Sequence, residues 1–392
     1  MRNPLSQKII GIKPSGIRKF FDLVAEMNDP EVISLGVGEP DFETPWHVRD
    51  EGIYSLERGR TFYTSNTGLM ELREEISKHV SRDHHIDYSP KHEIIVTVGG
   101  SEAIDIAMRA MLDPGDEVII PQPSYVSYLP CCVLADGVPV VINLKEENEF
   151  RLTAAELEAA ITPKTKILVL PFPNNPTGAI MTREDLEPIA ELCIRNDIYV
   201  ITDEIYGALT YEQEHFSIAS LPGMRDRTVL INGFSKAYAM TGWRLGYACA
   251  PRVIMEQMLK IHQFAIMCAP TTSQYAALEA LRNGDADVQM MRESYNGRRR
   301  YLMRTLKELG IPCFEPFGAF YIFPNISELG LSSDDFATEL LKAEKVAVVP
   351  GTAFGDCGEG FLRISYAYSL EQLEQAFVRI GRFVEKLRAE KK

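Results

Sequence analysis

The 392-residue chain lacks the patterns by which metal sites and disulfide frameworks are usually found. Its seven cysteines are scattered and include no Cys-x-x-Cys pair. Its seven histidines show no His-Glu-x-x-His spacing, and His84 and His85 stand in the polar stretch SRDHHIDYS, which predicts a surface loop. We therefore predict no metal site and, because the cysteines are odd in number and unpatterned, reduced thiols in a cytoplasmic protein.

Long apolar runs and clusters of positive charge are also missing. No run approaches the roughly 20 residues of a membrane span, and the opening MRNPLSQKIIGIKPSG has no apolar segment of a signal peptide. The formal net charge is -14, and the only basic cluster is Arg298–Arg300. These features predict a protein that binds neither membranes nor nucleic acid.

What is present between residues 90 and 250 is a regular alternation of short apolar runs and amphipathic segments. Several runs are almost continuously hydrophobic, as strands buried on both faces are. The pattern predicts an α/β fold with a mostly parallel seven-stranded sheet flanked by helices. The predicted strands are Ile94–Val98, Glu117–Ile120, Val138–Asn143, Ile167–Pro171, Ile198–Thr202, Val229–Gly233 and Leu245–Ala250. The predicted helices between them include Ser101–Leu112, Thr153–Ala160 and Thr182–Arg195.

The alternation of apolar runs and amphipathic segments stops near residue 285. This change suggests a second domain, as the chain length does. A long charged helix, MMRESYNGRRRYLMRTLKELG, precedes a short strand at Ala319–Phe323 and helices near Asp334–Lys345 and Ser369–Lys386. We predict a large domain over residues 45–284 and a smaller α+β domain over 285–392. Residues 1–44 fit neither pattern and are interpreted as an N-terminal arm.

Two nucleotide-binding fingerprints, GxGxxG and GxxxxGK[ST], are absent. The strand IIVTV is nevertheless followed by Gly99, Gly100 and Ser101 at the start of a helix, where free backbone N–H groups can bind an anion. Such a turn is usually no more than a turn. An anion bound there is expected to be a single phosphate.

Polar and aromatic side chains follow the other predicted strands, at the edge where open α/β sheets bind ligands. Each has an ordinary structural explanation, such as a core ring, an Asn-Pro turn, a helix cap or a solvated lysine. Together they suit a small planar cofactor with one phosphate, one ring nitrogen and one aldehyde. They are Tyr125, Asn175, Asp203, Tyr206, Ser235, Lys236 and Arg244.

The motifs NGFSKAYAMTGWRLGY, PNNPTG, TDEIY, GEPDF and FLRISYA occur in the order typical of one enzyme family. From about Leu35 to Ala367 the chain resembles the class I/II aminotransferases of fold type I, which use pyridoxal 5′-phosphate. The resemblance implies transfer of an amino group from an L-amino acid to a 2-oxo acid by a ping-pong mechanism, with 2-oxoglutarate as the expected acceptor.

The resemblance also implies roles for the residues. Lys236 matches the lysine that forms a Schiff base with the cofactor and then moves the substrate proton. Asp203 matches the partner of the ring nitrogen, Tyr206 and Asn175 match the hydrogen-bond partners of the ring's phenolic oxygen, and Tyr125 matches the stacking residue.

The phosphate would be bound by Gly100, Ser101 and Arg244. Many relatives carry Ser or Thr where this chain has Gly233, so Ser235 is the candidate replacement. Tyr63 matches a tyrosine that reaches the phosphate of the partner subunit, which implies a homodimer with shared active sites.

Arg363, Gly38 and Asn175 match the positions that bind the substrate, with Arg363 on its α-carboxylate. The substrate side chain would meet the arm around Ile10–Arg18, and aspartate, aromatic amino acids, alanine and acylated diamino acids all stay open as donors. Cis prolines are expected after Gln122 and Asn175.

The alternative on the same cofactor is a carbon–sulfur β-lyase. A transcription regulator would need an added DNA-binding domain, which is not expected with about 30 residues before the family-like region and a net charge of -14.

Overall fold

The computed structural model describes residues 2–390 except 18–23, 25 and 28. Its helices are α1 Gln7–Ile10, α2 Trp46–Glu57, α3 Met70–His84, α4 Gly99–Met111, α5 Tyr128–Leu134, α6 Ala154–Ala160, α7 Arg183–Arg195, α8 Arg252–Ala265, α9 Thr271–Asn283, α10 Asp285–Glu308, α11 Ser333–Glu344 and α12 Leu370–Glu390. Its strands are β1 Ile33–Ser34, β2 Ile94–Thr97, β3 Glu117–Gln122, β4 Val138–Asn143, β5 Thr165–Leu170, β6 Tyr199–Asp203, β7 Thr228–Gly233, β8 Gly246–Cys249, β9 Tyr321–Ile322, β10 Val346–Ala347, β11 Val349–Pro350 and β12 Leu362–Ser365. Short 3₁₀ turns occur at Glu146–Asn148, Gly207–Leu209, Ile218–Ser220, Arg225–Arg227, Thr241–Trp243, Ser327–Leu329, Gly351–Phe354 and Asp356–Gly358.

The large sheet has seven strands in the order β2-β8-β7-β6-β5-β3-β4. Strand β8 is antiparallel to both neighbours, whereas the pairs β7–β6, β6–β5, β5–β3 and β3–β4 are parallel. The predicted mostly parallel seven-stranded sheet is thus confirmed, with one strand for each apolar run. All strands except β8 therefore end at the same edge of the sheet, which is where the site residues follow.

Burial differs among the strands of the large sheet. Every residue of β2 and β8 is buried, as is nearly all of β5, β6 and β7. Strand β4 is different, because Val138 and Val141 are 44% and 41% exposed. Its sequence, VPVVIN, is as apolar as the others, and the other edge strand, β2, is fully buried, so edge position alone does not account for the exposure. Continuous hydrophobicity therefore overstated the burial of this one strand.

Two of the flanking helices begin at capping boxes, which fix their starts where the amphipathic segments begin. The Thr153 hydroxyl accepts a hydrogen bond from the backbone N–H of Glu156, whose carboxylate accepts one from the Thr153 N–H. Thr182 and Asp185 make the same reciprocal pair at the start of α7. Each box satisfies two backbone donors that a helix start leaves unpaired.

The C-terminal part combines α10, α11 and α12 with a small antiparallel sheet, β11-β12-β9. The predicted strand at Ala319–Phe323 is only two residues long, Tyr321–Ile322. Near the N-terminus, β1 pairs in parallel with β10, joining Ile33 to Val346. The boundaries proposed at 44/45 and 284/285 stay predictions.

Three further expectations concern the cysteines, membrane-spanning helices and the adjacent histidines His84 and His85. All seven cysteines are free, as expected. Among the helices of the described ranges, none is both long and apolar enough to cross a membrane. The surface-loop prediction is right for the exposed His85 but wrong for His84, which is the last residue of α3 and whose side chain is only 9% exposed. The polar local sequence did not reveal that other segments cover this ring.

Candidate active site

A cavity of about 340 Å³ lies at the carboxyl ends of the central strands. It brings together all but one of the residues that the sequence singled out. The predicted residues that line it are Gly38, Gly100, Ser101, Tyr125, Asn175, Asp203, Tyr206, Ser235, Lys236, Arg244 and Arg363. The exception is Tyr63, whose side chain is 80% exposed and lies outside the cavity.

Lys236 follows β7 and extends into the cavity. Its Nζ donates a 2.6 Å hydrogen bond to the carbonyl oxygen of Gly38 and lies 5.8 Å from the ring centres of Tyr206 and Phe320. Burial, followed by the positive charge of Arg363, lowers the pKa of Lys236 from 10.5 to about 8. The lowered pKa increases the neutral fraction of this amine near neutral pH, and a nucleophile or a general base needs the neutral form.

Asp203, the last residue of β6, presents its carboxylate to the cavity while only 7% exposed. Its Oδ2 accepts a 2.7 Å hydrogen bond from the Tyr128 hydroxyl, and its Oδ1 accepts one of 3.2 Å from the backbone N–H of Ile205. Burial raises the pKa of the Asp203 carboxyl, and both hydrogen bonds oppose that rise. A cationic group in the cavity would complete the compensation of this buried charge.

Tyr206 and Tyr321 form a buried pair of hydroxyl groups 2.8 Å apart. Burial raises the pKa of both phenols, so both are neutral hydrogen-bonding groups at ordinary pH. Tyr321 comes from β9, in the C-terminal part of the chain, and the sequence interpretation did not include it. Tyr128, the first residue of α5, was missed as well.

One end of the cavity suits an anion. Helix α4 begins there with Gly99, and Arg244 packs so closely that a Cβ on Gly99 would lie 2.8 Å from the Arg244 Nη2. Arg244 donates a 3.1 Å hydrogen bond to the Thr241 carbonyl, and the Ser101 and Tyr125 hydroxyls are 3.4 Å apart. Within the described ranges Arg244 has no acidic partner. A helix start with an unpaired guanidinium beside it can bind a phosphate.

The glycine at position 233 is explained by packing against β8. A Cβ at Gly233 would lie 3.0 Å from the Cα of Gly246 and 3.1 Å from the carbonyl oxygen of Leu245. Any side chain at this position would need these neighbours to move by a few tenths of an ångström. Ser235, which is 8% exposed, lines the cavity two residues later.

Arg363, on β12, is a buried cation among uncharged groups and is 2% exposed. Its Nη1 donates a 3.0 Å hydrogen bond to Asn175 Oδ1, and its Nη2 donates to the carbonyl oxygen of Gly36. The rings of Tyr321 and Phe354 lie 4.7 and 4.8 Å from its guanidinium carbon. Its Nε has no hydrogen-bond partner, and no carboxylate of the described residues pairs with it.

Burial also lowers the pKa of Arg363, which means that its cation is poorly compensated by the protein alone. A carboxylate entering the cavity would supply the missing charge and a partner for the planar fork. From the arm, Ile17 lines the cavity, whereas Arg18 lies outside the described residues.

A sequence model described as "Aminotransferase class I and II" matches residues 30–380. The chain belongs to this family. The protein YugH of Bacillus subtilis (strain 168) is 55% identical over 386 residues, covering 98% of this chain and 100% of that one. The aromatic-amino-acid aminotransferase 2 of Thermococcus litoralis is 45% identical over 391 residues, covering 99% of each chain. The solved aspartate aminotransferase of Thermus thermophilus with maleate is 40% identical, with a TM-score of 0.93 and coverage of 97% and 100%.

These relationships show that this aminotransferase transfers amino groups, and they do not favour the lyase alternative. The two expected cis prolines, after Gln122 and Asn175, are confirmed, and a third follows Phe172. The family relationship does not by itself assign roles to the individual side chains, because those roles depend on how a cofactor and a substrate bind.

Proposed function

We propose that this aminotransferase uses pyridoxal 5′-phosphate and transfers the amino group of an L-amino acid to 2-oxoglutarate in a ping-pong reaction. One observation carries the proposal. Two guanidinium groups, Arg244 and Arg363, line the same cavity as Lys236, and neither has an acidic partner in the described part of the chain. A cofactor phosphate and a substrate carboxylate would supply the two missing anions.

The remaining groups of the cavity fit the remaining groups of the cofactor. Asp203 would pair with its ring nitrogen, Tyr206 and Asn175 with its phenolic oxygen, and Tyr125 would stack on its face. The start of α4 at Gly100 and Ser101, together with Ser235 and Arg244, would hold its phosphate. When bound, pyridoxal phosphate supplies an electron sink that stabilises negative charge at the substrate α-carbon.

Lys236 would do the proton transfer. Its amine would accept the proton of the substrate α-carbon, which requires the neutral form favoured by the lowered pKa. The carbonyl of Gly38, the present hydrogen-bond partner of Nζ, holds the amine on the substrate side of the cavity. The negative charge of Asp203 would keep the ring nitrogen of the cofactor protonated.

Arg363 would bind the substrate α-carboxylate, with Asn175 and the backbone at Gly38 beside it. Asn175 already holds one arm of the guanidinium fork, so the fork is oriented before the substrate arrives. Because Arg363 lies in the predicted domain 285–392 and Lys236 in the predicted domain 45–284, a bound substrate would join the two and favour closure. Closure excludes water and strengthens the charge pairs.

The proposed assembly is a homodimer in the cytoplasm. Phe62, Tyr63 and Phe264 are 81%, 80% and 88% exposed, a degree unusual for large apolar side chains. Hydrogen bonds from Asn66 to Met267 and from Thr271 to Phe62 hold their two segments together in one patch. A second copy seated on this patch would bring Tyr63 to the partner's phosphate, while the arm 1–44 would add to the interface. The seven free thiols support a reducing compartment.

A donor panel tests the reaction. The holoenzyme is incubated with 2-oxoglutarate and, in turn, aspartate, aromatic amino acids, alanine and acylated diamino acids, and glutamate is measured. We expect glutamate in amounts equal to the new 2-oxo acid for at least one donor class. Pyruvate and sulfide from cysteine, without glutamate from any donor, would contradict the proposal.

A further inference from the structure

A second cluster of ionisable side chains lies behind the active site. Asp203 and Glu204 are consecutive, and the backbone N–H of Glu204 still bonds to the carbonyl of Ile231 on β7. Because successive strand residues point to opposite faces, Asp203 faces the cavity and Glu204 faces away from it. There Glu204 meets His84 from the end of α3 and His215 from the loop before Ile218–Ser220.

The Glu204 carboxylate is held firmly and is 1% exposed. Its Oε1 accepts hydrogen bonds of 2.6 Å from Ser217 and 3.0 Å from Thr202. Its Oε2 lies 2.8 Å from the Nε2 of His215 and 3.9 Å from the Nε2 of His84. Within the ranges described, neither lysine nor arginine pairs with it. A buried carboxylate of this kind requires a positive partner.

His84 has an unsatisfied nitrogen. Its side chain is 9% exposed, and its Nδ1 is buried without a hydrogen-bond partner among the described residues. The rings of His84 and His215 are 5.6 Å apart and nearly perpendicular, at 86°. One ligand atom from each of His84, Glu204 and His215 lies within 4.8 Å of the other two.

We propose that His84, Glu204 and His215 form a binding site for a divalent cation of the Zn²⁺ type. Two imidazoles and a carboxylate are ligands that Zn²⁺ accepts, with a water in the fourth position. Ligand atoms around a tetrahedral zinc are about 3.3 Å apart for bonds of about 2.0–2.1 Å. The two imidazoles lie 2.8 and 3.9 Å from the Glu204 carboxylate oxygen, so these two distances require sub-ångström ring movements, and the two imidazole nitrogens lie within 4.8 Å of each other.

The surroundings are those of a metal site. Ser217 and Thr202 fix the carboxylate by its other oxygen, as residues around a metal's ligands do. The two imidazole side chains are 9% and 11% exposed, which leaves an entry path. A bound cation would join α3, the end of β6 and the loop that carries His215. The proposal is independent of the amino-transfer reaction and departs from our sequence-based prediction of no metal site.

The test measures metal content in untagged holoenzyme that has been incubated with Zn²⁺ alone and dialysed against metal-free buffer. Wild-type protein and two matched variants, His84→Asn and His85→Asn, are compared by inductively coupled plasma mass spectrometry and titration calorimetry. The control His85 is adjacent and exposed, and asparagine suits its positive φ of 57°. We expect about one zinc per chain in wild type and His85→Asn, and at least a 10-fold weaker affinity in His84→Asn.

Because the His84 side chain makes no hydrogen bond among the described residues, its replacement should leave the circular dichroism spectrum unchanged. When Co²⁺ replaces Zn²⁺, wild-type protein and His85→Asn should show the visible absorption of a tetrahedral site, and His84→Asn should not. Wild-type protein without zinc, or equal zinc binding by His84→Asn, would overturn the proposal and would leave only a buried Glu204–His215 hydrogen bond.

Discussion

The Tyr128 hydroxyl donates a 2.7 Å hydrogen bond to the carboxylate of Asp203, from a helix that carries none of the recognisable motifs. This bond stabilises the ionised carboxylate against the effect of burial. Replacement of Tyr128 by Phe should raise the pKa of Asp203 and weaken its hold on a proton at the cofactor nitrogen. Since a hydrogen bond to a charged group contributes about 1.5–3 kcal/mol, kcat should fall by about 10-fold or more.

The matched control is Tyr88→Phe, because the buried Tyr88 hydroxyl has no hydrogen-bond partner among the described residues. Pre-steady-state rates of α-proton removal, measured with deuterated substrate, distinguish the two variants. Equal rates in Tyr128→Phe and wild type would show that the bond has no part in catalysis.

The lowered pKa of Lys236 predicts a pH dependence in the cofactor-free protein. The neutral amine captures an aldehyde, so the rate of capture of pyridoxal phosphate should rise with pH through about 8 and level off above it. Stopped-flow absorbance follows the reaction. An inflection near the ordinary lysine value of 10.5 would contradict the geometry of this site.

Arg363 contributes to that lowering through its positive charge. Arg363→Met should therefore move the inflection to higher pH, whereas Arg300→Met, at an exposed position on α10, should leave it in place. Identical shifts in both variants would indicate an effect of net charge instead of a local contact.

Arg363→Lys should lower kcat/KM by about 10- to 150-fold for every amino donor. Lysine retains the charge but loses the planar fork that Asn175 orients, and one charged hydrogen bond is worth about 1.5–3 kcal/mol. Cofactor affinity should hardly change, because the phosphate is assigned to Arg244. Release of the cofactor with unaltered substrate affinity would reverse the assignment of the two arginines.

Phe264→Glu should convert a dimer into monomers and abolish activity, because it places a charge on a side chain that is 88% exposed in one chain. Val378→Glu is the control, since Val378 is 62% exposed on α12, far along the chain from the patch of Phe62, Tyr63 and Phe264. Analytical ultracentrifugation gives the oligomeric state. A fully active wild-type monomer would refute the shared site.

The sequence predicted those parts of the fold and of the site that depend on neighbouring residues in the chain. Apolar runs, amphipathic segments and the residues after strands predicted the sheet, its flanking helices and most of the cavity, since parallel strands end at one edge. The difference between the exposed Val138 on β4 and the buried Val229 on β7 depends on what packs over each strand, which no local pattern contains.

The residues missed were those placed by tertiary contacts. Tyr321 reaches Tyr206 from 115 positions away, and His84 looked like a loop residue because Glu204 and His215 are distant in sequence. Gly233 appeared to be a departure until the closeness of β8 explained it.

The most direct test of the account is borohydride reduction of the holoenzyme followed by peptide mass spectrometry. The account predicts that the cofactor becomes fixed to one residue, Lys236, and that Lys236→Ala carries no label and has no turnover. A label on any other lysine, or full turnover in Lys236→Ala, would contradict it.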